Sequence, residues 1–412
     1  MSRLVKVLFS ISIAMACGAQ VSLAASGEAK PVASKADLGR VLFFDVNLSK
    51  NRTQSCATCH NPTHGFVDDR ETVVGKMVSL GDDGKSLGDR NAPTAAYARF
   101  SPNFHRNKAG EYRGGQFLDG REKDLAGQAG GPPLNPIEMG MPDKASVVAR
   151  LQENAYYLKT FRELFGKAVF DKVETAYSAM AESLAEFEKT DLFSPFDSKY
   201  DRYLRGEVEL TDQESLGESL FFSQQFTNCN RCHQLKAFPG SFKETFSDYT
   251  YHNLGVPVNK RLRQVNGKSD TFVDHGLLDN PQVDDVKQDG KFKVSTLRNI
   301  AVTGPYMHNG VFKDLRTVVL FYDKFNNSSR KINPETGKPW QAPEVAQNLA
   351  LEDEEFDAPA LKDREVDALV AFMRTLTDKR YEHLLPKVEG GASQAVEHQL
   401  PKAKGEDSQS EE

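Results

Sequence analysis

Tryptophan is nearly absent from this 412-residue chain, which holds one, and cysteine is scarce, at five. So few cysteines exclude a small disulfide-stapled scaffold, and the length is enough for about two domains with ordinary hydrophobic cores. Nothing after residue 25 approaches the roughly 20 apolar residues of a spanning helix, so the chain reads as not membrane-spanning. Basic clusters are also missing and the formal net charge is -6, which makes nucleic acid a poor partner.

Scarcity makes the placement of the cysteines informative. "CATCHNPTHGF" puts Cys56, Cys59 and His60 in the spacing Cys-x-x-Cys-His, and Cys229, Cys232 and His233 repeat it. A four-cysteine zinc clamp would not need a histidine after each pair. Structural disulfides would close tight two-residue loops and leave both histidines unexplained. A redox dithiol belongs in a βαβ setting, which the sequence does not display. Covalent haem accounts for every residue: two thioethers to the porphyrin vinyls, and an imidazole to the iron. His60 and His233 are therefore expected as proximal ligands of two c-type haems.

The N-terminus carries Arg3 and Lys6, then an apolar run from Val7 to Ala16, then the small-residue site Ser22-Leu23-Ala24. That pattern predicts a signal peptide over residues 1–24 and export to the periplasm. Cys17 follows Ala14-Met15-Ala16, but position -3 lacks the larger aliphatic residue of a lipoprotein site, so no lipid anchor is expected.

The chain also repeats itself. "LGRVLFFD" precedes the first haem motif and "LGESLFFS" the second. Each half closes on an apolar stripe of helical period: Val173, Tyr177, Met180, Leu184 and Phe187, then Val366, Leu369, Val370, Met373 and Leu376. These stripes read as core. The expected fold is mainly α, as two tandem cytochrome c-type domains, each with one covalently bound haem. The boundaries fall at 25–195 and 196–386, with a disordered polar tail over 387–412 that contains His398. "TDLFSPFDSKYDRYLRGEVELT" reads as a connector, and "FKVSTLRNIAVTGPYMHNGVF" as a loop broken by Gly304, Pro305 and Gly310.

Function then depends on the position opposite each proximal histidine, because chemistry needs one iron with an open site. Near the second haem the candidate ligands are Tyr306, Met307, His308 and Tyr322. Near the first they are His64, Met77, Met139 and Met141. Spacing alone does not choose among them.

Over roughly residues 35 to 385 the order of motifs resembles the bacterial di-haem cytochrome c peroxidases and their MauG-like relatives. The carrying stretches are "SCATCHNPTHGFVD", "RNAPT", "QFLDGREKDLAGQAGGPPLNPIEMG", "SPFD", "NCNRCH" and "KVSTLRNIAVTGPYMHNGVFKDLRTVVLFY". The resemblance implies that the first haem is the peroxide site. The histidine that caps this iron in peroxidases needing reductive activation is missing from "RETVVGKMVSLGDDGKSLGD", which implies an open first haem, as in the MauG-like branch. Gln128 and Glu138 match the family's distal residues, with Pro132 between them. Glu138 would move a proton between the peroxide oxygens and Gln128 would orient the ligand. Tyr322 matches the second haem's sixth ligand, with Met307 as its rival. A phenolate there suits a haem that stores an oxidising equivalent. Asn91, Thr303 and Pro305 match an interdomain calcium site of hard oxygens.

Two departures stand out. Leu118 occupies the place of a tryptophan that carries charge between the haems, and Thr227 that of a tryptophan used by MauG-like members as an outlet to a protein substrate. Trp340 lies elsewhere and reads as structural. The expected function is a periplasmic di-haem peroxidase reducing hydrogen peroxide with electrons from a small donor protein of cytochrome c or cupredoxin type. The alternatives are a MauG-like enzyme oxidising residues of a partner protein, and a non-catalytic di-haem electron carrier.

Overall fold

The structure is a computed structural model that describes residues 34–269, 271–353 and 356–387. The expected signal segment, Cys17 and the tail from residue 388, including His398, lie outside those residues.

Helices dominate. In chain order they are α1 (Lys35–Phe43), α2 (Cys56–Cys59), α3 (Leu125–Ala129), α4 (Lys144–Gln152), α5 (Ala155–Phe165), α6 (Val173–Glu188), α7 (Lys199–Leu204), α8 (Asp212–Phe221), α9 (Lys260–Arg263), α10 (Leu315–Asp323) and α11 (Asp363–Arg374). Strand is confined, among the described residues, to three two-stranded antiparallel ribbons. They pair β1 (His105–Arg106) with β2 (Tyr112–Arg113), β3 (Tyr251–His252) with β4 (Phe292–Lys293), and β5 (Ile332–Asn333) with β6 (Lys338–Pro339). Among the described residues no helix is long and apolar enough to cross a membrane.

Two hydrophobic cores organise these helices. The first gathers Leu38, Leu42 and Phe43 of α1 against Tyr177, Met180, Leu184 and Phe187 of α6. The second gathers Leu220 and Phe221 of α8 against Val366, Leu369 and Phe372 of α11. Start signals are local. Ser34 accepts from the Asp37 amide at the head of α1, and Thr211 and Glu214 form a capping box at the head of α8.

Each core turns on a glycine. A methyl group at Gly39 would collide with the Ser183 carbonyl oxygen and Cβ of Phe187. One at Gly217 would collide with the Ala368 carbonyl oxygen and Cβ of Phe372. The helix pairs approach closely because those positions lack Cβ, and the crossing is repeated residue for residue. The sequence repeat is thus a repeat of packing. The predicted stripes are buried, except that Val173 is 38% exposed at the first residue of α6 and Val370 of α11 is only partly buried.

The connector differs from its reading. It contains α7, and its Ser198, Tyr200 and Asp201 are buried. The reason lies far along the chain. Arg298, 1% exposed, forms a two-armed ion pair with Asp201 at 2.5 and 2.9 Å and binds the Glu244 carbonyl. The 292–312 segment is mostly loop, as expected, with β4 and a short 3-10 turn at Ile300–Val302.

Candidate haem and peroxide sites

The first motif is a single helical turn. Ser55 and Thr58 cap it reciprocally, so Cys56 and Cys59, three residues apart, share one side. His60 leaves the helix and its amide donates to the Cys56 carbonyl at 2.9 Å. The ring then meets the Phe66 carbonyl, 3.1 Å from Nδ1. A carbonyl only accepts, so Nδ1 carries the proton and Nε2 keeps its lone pair for another partner. The second motif repeats this with other neighbours. The His233 amide donates to Cys229 at 3.0 Å, and Nδ1 lies 3.1 Å from the Phe246 carbonyl. Burial lowers the pKa of both imidazoles, that of His233 to about 4. Both rings are therefore neutral and aimed by main chain, as metal-binding histidines require.

None of the four motif cysteines is in a disulfide. Burial pushes Cys59 up to about 12, with Asp68 adding to the shift, and raises Cys56 and Cys229 as well. Thiols held in the neutral form are poor zinc ligands and poor redox nucleophiles. A neutral thioether suits the same environment.

His233, Cys229, Cys232, Tyr322 and Met307 line one cavity of about 370 Å³. Tyr322 comes from α10, and burial first, then Cys232 and Cys229, raise its phenol pKa. Its hydroxyl has no hydrogen-bond partner among the described residues. One other candidate is occupied: the Tyr306 hydroxyl donates to the Ile300 carbonyl at 3.1 Å. The His308 ring stacks on Phe292 at 3.7 Å on the same cavity and keeps a buried Nε2 without a hydrogen-bond partner among the described residues. Neutral imidazole, free phenol and a cavity between them fit a haem.

His60, Gln128 and Glu138 do not line that cavity. Gln128 rides on α3, which Asp124 caps by accepting from the Gly127 amide at 3.0 Å. The chain then folds back through a 3-10 turn, Pro132–Leu134, to Glu138. The Glu138 carbonyl is held by the Asp82 amide at 2.7 Å and its carboxylate by Asn135 at 2.9 Å. Burial raises the Glu138 pKa, opposed by Arg121 and Asn135. Its charge is also felt at Cys59, which sets it beside the first motif. The Gln128 side-chain amide makes no hydrogen bond to the described residues, while its backbone N–H donates to the Asp124 carbonyl at 3.0 Å. His64 sits 3.8 Å from Asp69, and Met77 accepts from Asn259 at 3.2 Å, while Met139 and Met141 are packed in the first core.

Asn91, Thr303 and Pro305 line the same cavity as His233. Asn91 donates through Nδ2 to the Met77 carbonyl at 2.9 Å, leaving its Oδ1 free to accept. Pro305 follows a cis peptide bond. Among the described residues no group of three or more His, Cys, Asp or Glu could hold a metal ion.

Leu118 is 8% exposed and lines the cavity wall, and Arg121 covers the ring of Phe117 at 3.7 Å. The Thr227 hydroxyl donates to the Leu220 carbonyl at 2.6 Å. Trp340 donates to the Arg330 carbonyl at 2.7 Å and packs on Phe312 and Phe321. Two features escaped the sequence reading. Lys293, also on the cavity, is lowered by burial to about 7, and its Nζ donates to the Gly115 carbonyl at 2.5 Å. Burial raises Glu188 of α6 to about 8. The repeat held a signal for it: "AEFEKT" aligned with "VAFMRT" puts Glu188 where the second half has Met373.

Comparison with known proteins agrees with this geometry. The di-haem cytochrome c peroxidase family profile matches residues 33–209. The chain is 54% identical over 352 residues to the methylamine utilization protein MauG of Paracoccus denitrificans, covering 85% of this chain and 90% of that one. It is 30% identical over 391 residues to the cytochrome c551 peroxidase of Nitrosomonas europaea, covering 92% of each. Among solved structures, the diheme peroxidase BthA of Burkholderia thailandensis superposes with a TM-score of 0.76 at 31% identity, over 88% of this chain and 90% of that one. The family implies two c-type haems, and on the strength of these relatives the chain belongs to the di-haem cytochrome c peroxidase and MauG family of oxidoreductases.

Proposed function

We propose that this enzyme is an exported, periplasmic di-haem peroxidase whose two halves, 25–195 and 196–386, each hold one haem and divide the work unequally. The carrying observation is the Tyr322 hydroxyl. Tyr322 is half-buried on the cavity that His233 lines, within electrostatic reach of Cys229 and Cys232, and its hydroxyl has no hydrogen-bond partner among the described residues. His233 and Tyr322 would close the second haem from both faces, and Met307 is the rival for the Tyr322 position.

Bound haem supplies one-electron redox chemistry and, in the first half, an iron position for hydrogen peroxide. The chain supplies the rest. His60, aimed by the Phe66 carbonyl, would hold the first haem through Nε2. Glu138 takes the proton from the inner peroxide oxygen and returns it to the outer one, so that water can leave. Its raised pKa brings the carboxyl nearer the pH at which it must do both. Gln128, with its amide unspent, orients the ligand. The Asn91 side-chain oxygen and the carbonyls of Thr303 and Pro305 would hold a calcium ion that fixes the two halves. Electrons would arrive at the second half from a small cytochrome or cupredoxin. Phe226, Phe238 and Phe242 are 49%, 75% and 62% exposed near the second motif and offer an apolar footing.

A second reading has its own support. Identity to MauG and the free Tyr322 favour oxidation of a partner protein, whereas Thr227, bound to the Leu220 carbonyl, offers no oxidisable outlet. Electron paramagnetic resonance tests both. The resting ferric protein should show one high-spin and one low-spin signal, and one equivalent of peroxide should erase both. Two low-spin signals that peroxide leaves in place would overturn both readings. Turnover with a reduced donor protein, against oxidation of candidate partners, separates the first reading from the second.

A further inference from the structure

Leu118 cannot be oxidised, and Phe117 beside it is little better. On the proximal side, however, the two imidazoles are joined by continuous contacts. The Phe66 carbonyl that meets His60 Nδ1 at 3.1 Å also accepts from the Ala95 amide at 3.2 Å. Two residues on is Tyr97, whose amide donates to the Phe193 carbonyl at 2.9 Å, and Phe193 stacks on Phe66 at 4.2 Å. The Tyr97 side chain, packed in the first core, also reaches residues of the second half. Its ring lies 5.4 Å from the guanidinium of Arg298, which lies 5.3 Å from the ring of Phe246. The Phe246 carbonyl is the one that meets His233.

Tyr97 is the easily oxidised side chain on this path, and it has a proton acceptor. Its hydroxyl donates to Asp378 at 2.5 Å. The other Asp378 oxygen accepts from Asn299 at 2.9 Å, so both oxygens receive protons, as an ionised carboxylate does. Tyr97 is 1% exposed and adopts a left-handed φ of 60°, a strained backbone for an aromatic residue. A structural strut explains the burial and the hydrogen bond. It does not require a carboxylate partner buried beside a strained tyrosine midway between two redox centres.

We propose that Tyr97 is a one-electron relay between the two haem sites, with Asp378 as its proton store. Peroxide reduction at the first site withdraws one electron from Tyr97. The phenolic proton crosses to Asp378, leaving a neutral phenoxyl, because the nearby guanidinium disfavours a cation on the ring. One electron from the second site then refills Tyr97 and the proton returns. The net change is one electron moved from the second site to the first, with no proton consumed.

The relay rests on the two-site reading above, and the test separates them. The haem-loaded full-length protein is mixed with one equivalent of hydrogen peroxide, and both ferric signals are followed by freeze-quench electron paramagnetic resonance. A parent protein that keeps its second-site signal overturns the two-site reading itself. If the parent loses both, Y97F should lose the first-site signal at the parental rate and the second at least an order of magnitude more slowly, and L118W added to Y97F should restore the rate. Second-site loss in Y97F as fast as in the parent overturns the relay. Should Y97F fail to fold or hold haem, D378N keeps the ring and is read the same way. Slowed second-site loss with a larger solvent deuterium isotope effect supports the relay, and unchanged kinetics overturns it.

Discussion

The two halves share one helix crossing and one way of aiming a histidine, yet they differ in the residues proposed to work with that histidine. In each, a glycine lets a short helix sink onto the closing helix, and Nδ1 of the motif histidine donates to a phenylalanine carbonyl. The first half then spends α3 and the turn after it on Gln128 and Glu138, whereas the second spends α10 on Tyr322. On the proposed reading the shared scaffold would hold a haem in each half, and the segments inserted between its helices would decide whether that haem reacts or stores.

That contrast can be broken by experiment. The largest effect is expected from E138Q, which would remove the proposed proton shuttle and should slow the reaction with peroxide about 10²–10⁴-fold in stopped-flow absorbance. The low-spin spectrum of the second half should not change. A parental rate would remove the distinction between the halves.

Next comes the buried ion pair that anchors the connector within the second half. D201N leaves the Arg298 guanidinium buried without this counter-charge, and breaking such a pair costs about 3–5 kcal/mol. Denaturant unfolding measures this, and a loss no larger than that of an exposed pair would show that the connector is not held electrostatically.

G39A and G217A test the likeness itself. Each should cost about 1–3 kcal/mol from overpacking, and the two should agree. A large cost at one and none at the other would mean that the repeat is one of sequence more than of packing.

The smallest effect is one of slope. Glu188 is raised by burial to about 8 from an ordinary 4.5. The folded chain therefore holds a proton that the unfolded chain releases between those values. Its contribution is complete below about 4.5 and is lost as pH rises through about 8. E188Q should flatten stability against pH over that interval and change little at pH 5, as read by unfolding at a series of pH values. A parental slope would mean that Glu188 is ionised in the fold.

Much of this was legible in the chain. Cys-x-x-Cys-His is a local pattern, and local hydrogen bonds build its turn, so the two motifs could be read without a fold. The stripes of α6 and α11 followed from helical period. Other features are set by residues distant in sequence. Asp201 is buried because Arg298 reaches it, and Tyr97 meets a carboxylate 281 positions away. Nothing around Tyr97 in "RNAPTAAYARF" announces that partner. The connector was misread for the same reason: proline and glycine marked breaks, and only the packed structure reveals what is buried between them.

The proximal hydrogen bonds carry one more consequence. Both imidazoles donate to peptide oxygens, at Phe66 and Phe246, and a peptide oxygen survives any amino-acid exchange at its own position. Point mutation can rotate or shift that acceptor but cannot delete it. Evolutionary retuning of either centre is thereby steered to the opposite side of the ring, where side chains, and not the backbone, make the difference.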